Sequence, residues 1–282
     1  MILYSIIIPF YNSASTIRRL IDSIPDCPFV EIIIVDDCSD SEESMRLRKI
    51  ISQLNKQILL LKSKINLGAG HARNLALELA QGKWLVFADS DDYFTPQFSE
   101  VLHKYENSRE QIIYFNAISI MEPDGGYSHR HSQIEKWIKE KNEDDLRFAF
   151  HGPVCKLVKA SLVKENNICF FESHAFNDAL FSAKIGYYAQ NIVIDQTPIY
   201  CITETPYSTT YTLSETILKS RIDAIKAVNS FFCSVGIKEY DMPIFPHLIY
   251  ARKLGFKGFI KIFCQIIKMH INPFKGITEY FK

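Results

Sequence analysis

Three carboxylates lie within four positions in the stretch "LVFADSDDYFTP", residues 85–96, where Asp89, Asp91 and Asp92 directly follow an apolar run. Like charges at this spacing raise one another's pKa and cost free energy unless a positive group lies among them. Carboxylates are preferred ligands of Mg²⁺ and Mn²⁺, and such ions commonly bridge them to substrate phosphates. The pattern therefore predicts a divalent-cation site, with a solvated turn or helix caps as the alternative.

A second acidic pair, Asp36 and Asp37, follows another apolar run, "EIIIV". In an open parallel α/β sheet, ligands bind beyond the carboxyl ends of the strands. Two groups of acids at one edge would repel each other without a cation, so together they predict one ligand site there. Capping explains a single acid such as Asp40 or Asp92 equally well, whereas Asp89 and Asp91 together exceed what a cap needs.

Alternating strands and helices in the first half must position these acids. The predicted strands are residues 4–10, 30–37, 57–63 and 83–89, and the predicted helices are 14–24, 41–56, 69–82 and one opened by Thr95 and Pro96. Continuous apolar strands, each followed by a helix, indicate a parallel sheet covered on both faces. Gly82 is expected to end the third helix as a C-cap.

The second half has a different rhythm. Strands are predicted over 111–121 and 192–203, and helices over 132–150, 214–232 and 247–271. From His247 to Lys282 the chain carries seven Lys or Arg and one acid, Glu279. A basic amphipathic helix of this kind lies on an anionic membrane surface, or packs on the domain with its charged face in water; both interpretations stay open.

Composition limits the classes of function. The 282 residues are 47% hydrophobic, enough for one large domain with an appendage, and the zero net charge argues against a nucleic-acid partner. Seven scattered cysteines without a CxxC favour reduced cytosolic thiols over disulfides or a zinc site. The apolar N-terminus breaks at Pro9, so a first strand is expected there rather than a signal peptide, and no transmembrane helix is expected.

Four segments resemble, in order, the motif series of family 2 glycosyltransferases, which are nucleotide-sugar enzymes. They are "SIIIPFYN", "EIIIVDDCSDS", "NLGAGHARNLALELAQGKWLVFADSDD" and "FNDALFSAKI", and the resemblance as a whole spans residue 5 to about 210. The resemblance implies an α/β, GT-A-like fold with a Rossmann-like, mostly parallel sheet and a helical C-terminal extension. It also implies a catalytic domain over 1–212, with a donor half to about residue 110 and an acceptor half from 111, and an extension over 213–282. "GAGHAR" lacks the third glycine of a dinucleotide loop, which excludes that interpretation.

The resemblance implies roles in the donor half. Residues implied to contact the nucleotide or its diphosphate are Pro9, Tyr11, Asn12, Asp36, Asp37, Gly68, Arg73 and Asp89. Tyr11 would stack on the base, Asp37 would accept a hydrogen bond from it, and Arg73 would lie beside the diphosphate. Asp89-Ser90-Asp91 resembles the DxD motif, so the implied ligands of Mn²⁺ or Mg²⁺ are Asp91 first, then Asp89 and Asp92.

The acceptor half departs from the family pattern at two positions. Family members place a Glu-Asp pair before a helix, with the Asp as catalytic base; here the pair is Asn177-Asp178, so Asp178 takes the base role and Glu172 is the rival. "GPVCKLVKASLV" resembles a Trp-x-Lys-Leu segment with Val154 in place of Trp, and Lys156 would contact the donor. Tyr207 and Tyr211 resemble a loop that closes over the site.

The implied function is inverting transfer of a sugar from a nucleotide donor, UDP being favoured, to a hydroxyl of a glycan or lipid-linked acceptor. Such enzymes build cell-surface polysaccharides in the cytoplasm, at the inner face of the membrane, where the basic segment would make peripheral contact. One alternative is a sugar-phosphate nucleotidyltransferase, although "IPFYNSAST" is not the Gly-rich loop that such enzymes carry. The other is an inactive nucleotide- or glycan-binding relative, which Asn177 and Val154 leave open.

Overall fold

The computed structural model describes residues 1–122, 124–205 and 214–280. Within these ranges the strands are β1 (Tyr4–Phe10), β2 (Val30–Asp36), β3 (Ile58–Lys62), β4 (Trp84–Phe87), β5 (Tyr93–Phe94), β6 (Ile112–Met121), β7 (Gly126–Tyr127), β8 (Lys156–Lys159) and β9 (Ile192–Glu204). The helices are α1 (Ile17–Ser23), α2 (Ser41–Ser52), α3 (Ala69–Leu79), α4 (Gln97–Tyr105), α5 (Ser132–Glu140), α6 (Glu143–Phe148), α7 (Ala160–Glu165), α8 (Ala179–Tyr188), α9 (Glu215–Val235), α10 (Phe245–Ala251), α11 (Gly255–Lys268) and α12 (Ile277–Tyr280).

One mixed sheet contains all nine strands, in the order β3-β2-β1-β4-β8-β6-β9-β5 with β7 paired to β6, among the residues that the structure describes. β1 pairs in parallel with both β2 and β4, and β2 pairs in parallel with β3. β1 and β2 are apolar runs buried along their whole length, as expected of strands covered on both faces. Their carboxyl ends meet at one edge, so the predicted α/β class with a mostly parallel sheet is confirmed.

The acidic turn that follows β4 is supported from below by the distant strand β9. β9 pairs in parallel with β6, and its register shifts where Asn116 lies opposite Pro198 and Ala117 opposite Tyr200. Beyond this irregularity β9 also pairs with β5, the short strand that comes directly after the turn. Such a bulge redirects a strand and its side chains. It brings the 200–203 segment of β9 under the turn.

Three predicted helices differ from those observed. The helix expected over 132–150 is two helices, because Lys141 adopts a left-handed conformation with φ +51° between α5 and α6. The basic helix expected over 247–271 is divided by Gly255, whose φ is +75°. α3 ends at Leu79 with Ala80 as its C-cap, so the prediction for Gly82 is wrong. Gly82 instead approaches β1: a Cβ there would lie 2.5 Å from the backbone nitrogen of Ser5.

Helices α9–α12 form the C-terminal extension, which has its own apolar core. Ser214 caps α9 by accepting a hydrogen bond from the backbone N–H of Ile217 at 3.1 Å, and Gly236 ends the helix with φ +82°. The core of the extension packs against Phe176, which belongs to the loop before α8. The predicted boundary between residues 212 and 213 lies outside the described residues. In the part of the chain that the structure describes, no helix has the length and apolarity needed to cross a bilayer.

Candidate active site

The loops after β1 and β2 are joined to each other at the edge of the sheet. The side chain of Asn12, whose φ is +47°, makes two 3.0 Å hydrogen bonds to Asp40. Its amide nitrogen donates to the Asp40 carboxylate, and its amide oxygen accepts from the Asp40 backbone N–H. Its own backbone N–H donates to Ser39 Oγ at 3.0 Å. Asn12 is therefore occupied in holding the rim, whereas Tyr11 beside it is 51% exposed and free to stack on a planar ligand. Pro9 is buried inside β1, opposite Val35.

Asp36 and Asp37 have separate tasks although they are adjacent. The Asp36 carboxylate is buried at the end of β2 and accepts from the Ser44 hydroxyl at 2.5 Å and from the Ser39 N–H at 2.8 Å. Burial alone would raise its pKa, but these hydrogen bonds and Lys62, 3.6 Å away, lower the pKa of Asp36 below its usual range. Asp36 thus remains ionised and shapes the turn into α2, which leaves Asp37 as the neighbour that faces the next loop.

The N-terminus of α3 closes one side of the cleft. The Asp37 carboxylate accepts hydrogen bonds from the backbone N–H groups of Gly68, at 2.7 Å, and Leu67, at 3.2 Å. Gly68 has φ +91°, and a Cβ there would lie 2.7 Å from the carbonyl oxygen of Ser173. A side chain at Gly68 is excluded both by its backbone conformation and by this loop of the acceptor half. The loop before α8 and the loop before α3 consequently touch, and we call the region that they border, together with the turns after β2 and β4, the cleft.

Hydrogen bonds from both halves of the chain fix the DSDD turn, residues 89–92. The Asp89 backbone N–H donates to the hydroxyl of Tyr200 in β9 at 2.8 Å. Helix α1 and the residues just before it hold the opposite side of the turn by three side-chain hydrogen bonds. The Ser13 hydroxyl donates to Ser90 Oγ at 2.8 Å, the Thr16 hydroxyl donates to the Ser90 carbonyl at 2.9 Å, and the Arg19 guanidinium donates to the Asp91 carbonyl at 2.6 Å. The turn is thus held rigidly from two directions.

The three acids of this turn face different surroundings. The Asp89 side chain is 43% exposed and Asp91 is also exposed, so both reach the cleft. Loss of solvation at the cleft mouth, and then the Asp89 carboxylate, raise the pKa of Asp91 to about 6. Asp92 is 4% exposed and accepts a hydrogen bond from the backbone N–H of Thr203 at 2.7 Å. Asp92 therefore connects the turn to β9, and its carboxylate does not face the cleft as those of Asp89 and Asp91 do.

Asp89 and Asp91 fit a hard divalent cation. Mg²⁺ is usually held by one or two protein carboxylates together with substrate phosphates and water, and two repelling carboxylates at an open cleft are such a donor set. The pKa of Asp91 is raised first by loss of solvation and then by the neighbouring Asp89 carboxylate, and a bound cation would offset both effects. Among the described residues, no group of three or more His, Cys, Asp or Glu side chains is arranged to hold an ion.

Arg73 bridges the donor half to the acceptor half. This α3 residue is 4% exposed, and its guanidinium donates to Asp89 Oδ1 at 2.6 Å and to Asn177 Oδ1 at 2.9 Å. It also lies over the ring of Phe170, with 5.3 Å between Cζ and the ring centroid. A planar, always-charged guanidinium suits this double contact, which a lysine could not reproduce. The structure thus joins Arg73, Asp89 and the Asn177-Asp178 pair.

Asp178 and Glu172, the two candidate bases, differ in environment. Asp178 is at the N-cap of α8, and no other described residue hydrogen-bonds its carboxylate. Burial raises the pKa of Asp178; Asp89 raises it further, while Arg73 and Lys156 partly oppose the shift. Glu172 is 51% exposed, and hydrogen bonds from His71 (3.1 Å) and Asn74 (3.2 Å) lower its pKa. A base must be unoccupied and sufficiently basic, which favours Asp178.

Lys156, for which the resemblance implies a donor contact, is occupied by contacts within the protein. It is 1% exposed in β8, and its ammonium donates to the carbonyls of Phe150 (2.9 Å) and Gly152 (2.5 Å). Its Nζ lies 4.0 Å from the centroid of the Phe150 ring. Burial, only partly offset by Asp178, lowers the pKa of Lys156 to about 7. The lysine thus holds the 148–154 loop from beneath.

Replacing Lys156 with Met tests whether this lysine contacts the donor or only supports the fold. The variant should lose about 1–3 kcal/mol of unfolding free energy, because it leaves two carbonyls that Lys156 now satisfies without a donor. Its affinity for a nucleotide diphosphate should stay within about threefold of wild type, since Lys156 does not face the cleft. Chemical denaturation and calorimetry measure the two quantities. Unchanged stability with a large loss of nucleotide affinity would restore the predicted donor contact.

Sequence reasoning missed the residues that hold the DSDD turn. Ser13, Thr16 and Arg19 recur every three residues in "NSASTIRR", so their helical spacing could have indicated a shared polar face. Tyr200 and Thr203 had no such signal, because they come from β9, more than 100 residues along the chain. The predicted Tyr207 and Tyr211 loop lies outside the described residues, so it stays a prediction.

Comparisons with known proteins show the family to which this chain is related. The family model "Glycosyl transferase family 2" matches residues 5–166. The poly(ribitol-phosphate) beta-N-acetylglucosaminyltransferase TarS of Staphylococcus aureus is 26% identical over 200 residues, which are 69% of this chain and 34% of TarS. The Escherichia coli glucosyltransferase WfaP, which acts on a GlcNAc-diphosphoundecaprenol, is 36% identical over 119 residues, 41% of this chain and 46% of WfaP. The chain thus spans about a third to a half of the length of these relatives.

Solved structures share the fold. TarS residues 1–349 with UDP-GlcNAc superpose with a TM-score of 0.68 at 20% identity, covering 95% of this chain and 81% of that one. The mannosyltransferase PcManGT of Pyrobaculum calidifontis, in complex with GDP-Man and Mn²⁺, gives a TM-score of 0.61 at 14% identity, covering 94% and 75%. At such identities the likeness establishes the fold alone. The expected GT-A-like fold is confirmed.

Proposed function

Since this chain belongs to glycosyl transferase family 2, we propose that it is an inverting glycosyltransferase that moves one sugar from a UDP-sugar to a hydroxyl of a glycan or lipid-linked acceptor. The transferred sugar is a hexose or an N-acetylhexosamine, the types named for the relatives TarS and WfaP. The product belongs to a cell-surface polysaccharide. This function places the enzyme in the cytoplasm, where nucleotide sugars are made.

The donor nucleotide binds along the rim of β1 and β2. Tyr11 stacks on the base, because it is the exposed aromatic residue directly after β1. Asp37 accepts a hydrogen bond from the base with lone pairs that its bonds to Leu67 and Gly68 leave available. Asn12 and Asp36 keep this rim in shape rather than contacting the nucleotide, since their polar atoms are already paired.

Asp91 and Asp89 are the residues that would hold Mn²⁺ or Mg²⁺ beside the diphosphate of the donor. Such an ion supplies Lewis-acid stabilisation of the negative charge that grows on the leaving diphosphate. Arg73 fixes Asp89 through its 2.6 Å contact and adds positive charge behind it. Ser13, Thr16 and Arg19 prevent the turn from moving as that charge develops, which is the requirement for electrostatic preorganisation.

Asp178 accepts the proton of the acceptor hydroxyl. As that O–H bond breaks, the oxygen forms a bond to the anomeric carbon, the bond from that carbon to the diphosphate oxygen breaks, and UDP leaves with the electron pair. A single base on the face opposite the leaving group inverts the anomeric carbon, by the same geometry as in inverting glycosidases. The carboxylate of Asp178 supports this role because its pKa is raised and no other described residue hydrogen-bonds it.

The observation that carries the proposal is the bridge made by Arg73. One buried guanidinium links Asp89, on the metal-binding turn, to Asn177, the residue next to the base. Asn177 lies at the position where the family usually has Glu. Because its amide oxygen is a neutral acceptor, the positive charge of Arg73 remains available to Asp89.

Calorimetry of UDP binding with and without Mn²⁺, followed by a screen of UDP-sugars for UDP release, tests the proposal. We expect UDP to bind, and to bind at least about tenfold more tightly with Mn²⁺, since the ion bridges carboxylates to phosphates. We also expect UDP release from at least one sugar donor. Metal-dependent UDP binding without release from any donor or acceptor would favour an inactive relative. Failure to bind UDP, GDP or dTDP under any metal condition would contradict the proposal.

A further inference from the structure

Helix α11 is packed on the extension by only one of its faces. The residues buried on this side are Gly258, Ile262 and Ile266, with Phe259 and Phe263 partly buried beside them. They pack with the α9 residues Leu218 and Ile222 and with Leu248 of α10. Of the two interpretations left open for this basic segment, packing against the rest of the protein therefore describes this face of α11. It leaves the opposite face of the same helix to be explained.

The opposite face, which we call the outer face of α11, is both apolar and basic. Its exposed residues are Phe256, Lys257, Ile260, Lys261, Cys264, Ile267 and Lys268. At 100° per residue, Phe256, Ile260 and Ile267 fall within about 40° of one another, and the three lysines form a second stripe beside them. Phe256 is 80% exposed, Ile267 48% and Ile260 40%. Exposed apolar side chains that are grouped on one face and bordered by charged residues are typical of a surface that binds a partner or a membrane.

Charge on the outer face has one sign. α11 contains three lysines and no acid, and Arg252 and Lys253 precede it, both exposed. Lys261 has a partner, Glu215 of α9, at 3.0 Å, but both side chains are largely exposed, so this pair offsets little of the positive charge. Large apolar side chains beside a row of lysines match the boundary between anionic headgroups and acyl chains.

The extension also touches the catalytic loop. Phe176, directly before Asn177-Asp178, packs on the core that α11 shares. Its ring lies 5.7 Å from that of His247 in α10 and 5.6 Å from the Arg221 guanidinium in α9, centroid to centroid and Cζ to centroid respectively. α11 and the loop that carries Asp178 therefore pack on the same apolar core. A partner bound to the outer face of α11 would lie on the helix bundle that supports this loop.

We propose that the outer face of α11 docks on the anionic surface of a lipid bilayer and holds the acceptor side of the cleft near that surface. The anionic headgroups pair with Lys257, Lys261 and Lys268, and Phe256, Ile260 and Ile267 enter the boundary with the acyl chains. A lipid-linked acceptor would then reach Asp178 without leaving the bilayer. This last step rests on the proposed function, whereas the docking itself does not.

Sedimentation of the full chain with vesicles tests the docking. We expect binding to phosphatidylcholine vesicles that contain about 30 mol % phosphatidylglycerol, little binding to phosphatidylcholine alone, and marked weakening in about 0.5 M NaCl. Because each lysine near an anionic surface strengthens binding by about fivefold, the double variant Lys257→Glu and Lys268→Glu should partition at least about tenfold more weakly. Phe256→Gln with Ile267→Gln should also weaken binding, and this loss should persist in salt.

Matched controls separate the outer face from charge and hydrophobicity in general. Lys49→Glu with Lys136→Glu makes the same change in net charge at exposed positions of α2 and α5, and Met45→Gln with Leu79→Gln removes exposed apolar side chains elsewhere. These controls should bind vesicles like wild type. Docking is disproved if wild type ignores anionic vesicles, or if the controls lose as much binding as the α11 variants. The midpoint of chemical denaturation reports the folding of every variant, and UDP binding is measured separately, so failure of docking is distinct from failure of the proposed transferase.

Discussion

Replacing Asp178 with Asn is expected to lower the rate of sugar transfer by about 10²- to 10⁴-fold and to leave UDP binding unchanged. Asn has the same shape but cannot accept a proton from the acceptor hydroxyl. No other described residue hydrogen-bonds the Asp178 carboxylate, so the substitution breaks no contact that stabilises the fold. UDP release with a donor accepted by wild type measures the rate, and calorimetry measures UDP affinity.

The control for this prediction is Glu172→Gln, in the same loop. Glu172 is half exposed and hydrogen-bonded to His71 and Asn74, so its loss should change the rate by no more than about threefold. If Glu172→Gln abolishes transfer while Asp178→Asn retains it, the base has been assigned to the wrong carboxylate. Equal, partial losses would indicate that neither residue acts alone as the base, which also contradicts the mechanism.

The pH dependence of transfer adds a signature of Asp178. The base works only when ionised, so the rate should rise as pH increases through its folded-state pKa. Burial and the nearby Asp89 raise that pKa, so the acid limb of kcat/KM should lie above the value of about 3.9 for an ordinary Asp. The residual activity of Asp178→Asn should lack this limb. A limb that persists unchanged in the variant would belong to a different group.

Replacing Asp91 with Ala is expected to weaken UDP binding in the presence of Mn²⁺ by about 100-fold, to the level found without the metal. Stability without metal should not fall, because the exposed Asp91 side chain has the Asp89 carboxylate beside it, and loss of solvation and then this like charge both raise its pKa. Loss of metal-dependent affinity together with full stability is the outcome that identifies a ligand. Calorimetry with and without Mn²⁺, and denaturation without it, give both quantities.

Asp92→Ala is the matched control, one position along the chain. Because Asp92 is buried and accepts from the Thr203 backbone, its loss should cost about 1–3 kcal/mol of stability. Its UDP affinity should still increase on addition of Mn²⁺. The reverse pattern, with Asp92 essential for the metal response and Asp91 dispensable, would overturn the ligand assignment made from exposure.

The contact between Arg73, Asp89 and Asn177 explains how one chain tolerates Asn at a position where the family usually has Glu. A Glu at 177 would compete with Asp89 for the same guanidinium, whereas the neutral Asn177 accepts one of its N–H groups without competing in charge. Gly70 reinforces the same junction, because a Cβ there would lie 2.8 Å from the Cβ of Asn177 and 2.4 Å from the Phe171 carbonyl. The donor and acceptor halves are therefore packed together at backbone distance.

Local patterns in the sequence were sufficient to determine the α/β class and the edge at which the site lies. Strands β1 and β2 are continuous apolar runs, and such runs pair as buried parallel strands whatever lies elsewhere in the chain. Asp37, Asp89 and Asp91 follow their strands directly, so their place at the carboxyl edge depends only on neighbouring residues. The same is true of Gly68, whose positive φ belongs to the loop it ends.

Only the tertiary structure decided which of these side chains face the cleft. Asp91 and Asp92 are adjacent and of the same type, yet they differ in exposure. The backbone N–H of Thr203 in β9, 111 residues away from Asp92, donates to the buried Asp92, whereas Asp91 is exposed. Lys156 is buried because β8 lies antiparallel between β4 and β6, an insertion that no local pattern specifies. Hydrogen bonds and burial of this kind arise between segments distant in sequence. They depend on how the whole sheet is assembled, whereas strand and helix formation depends mainly on neighbours along the chain.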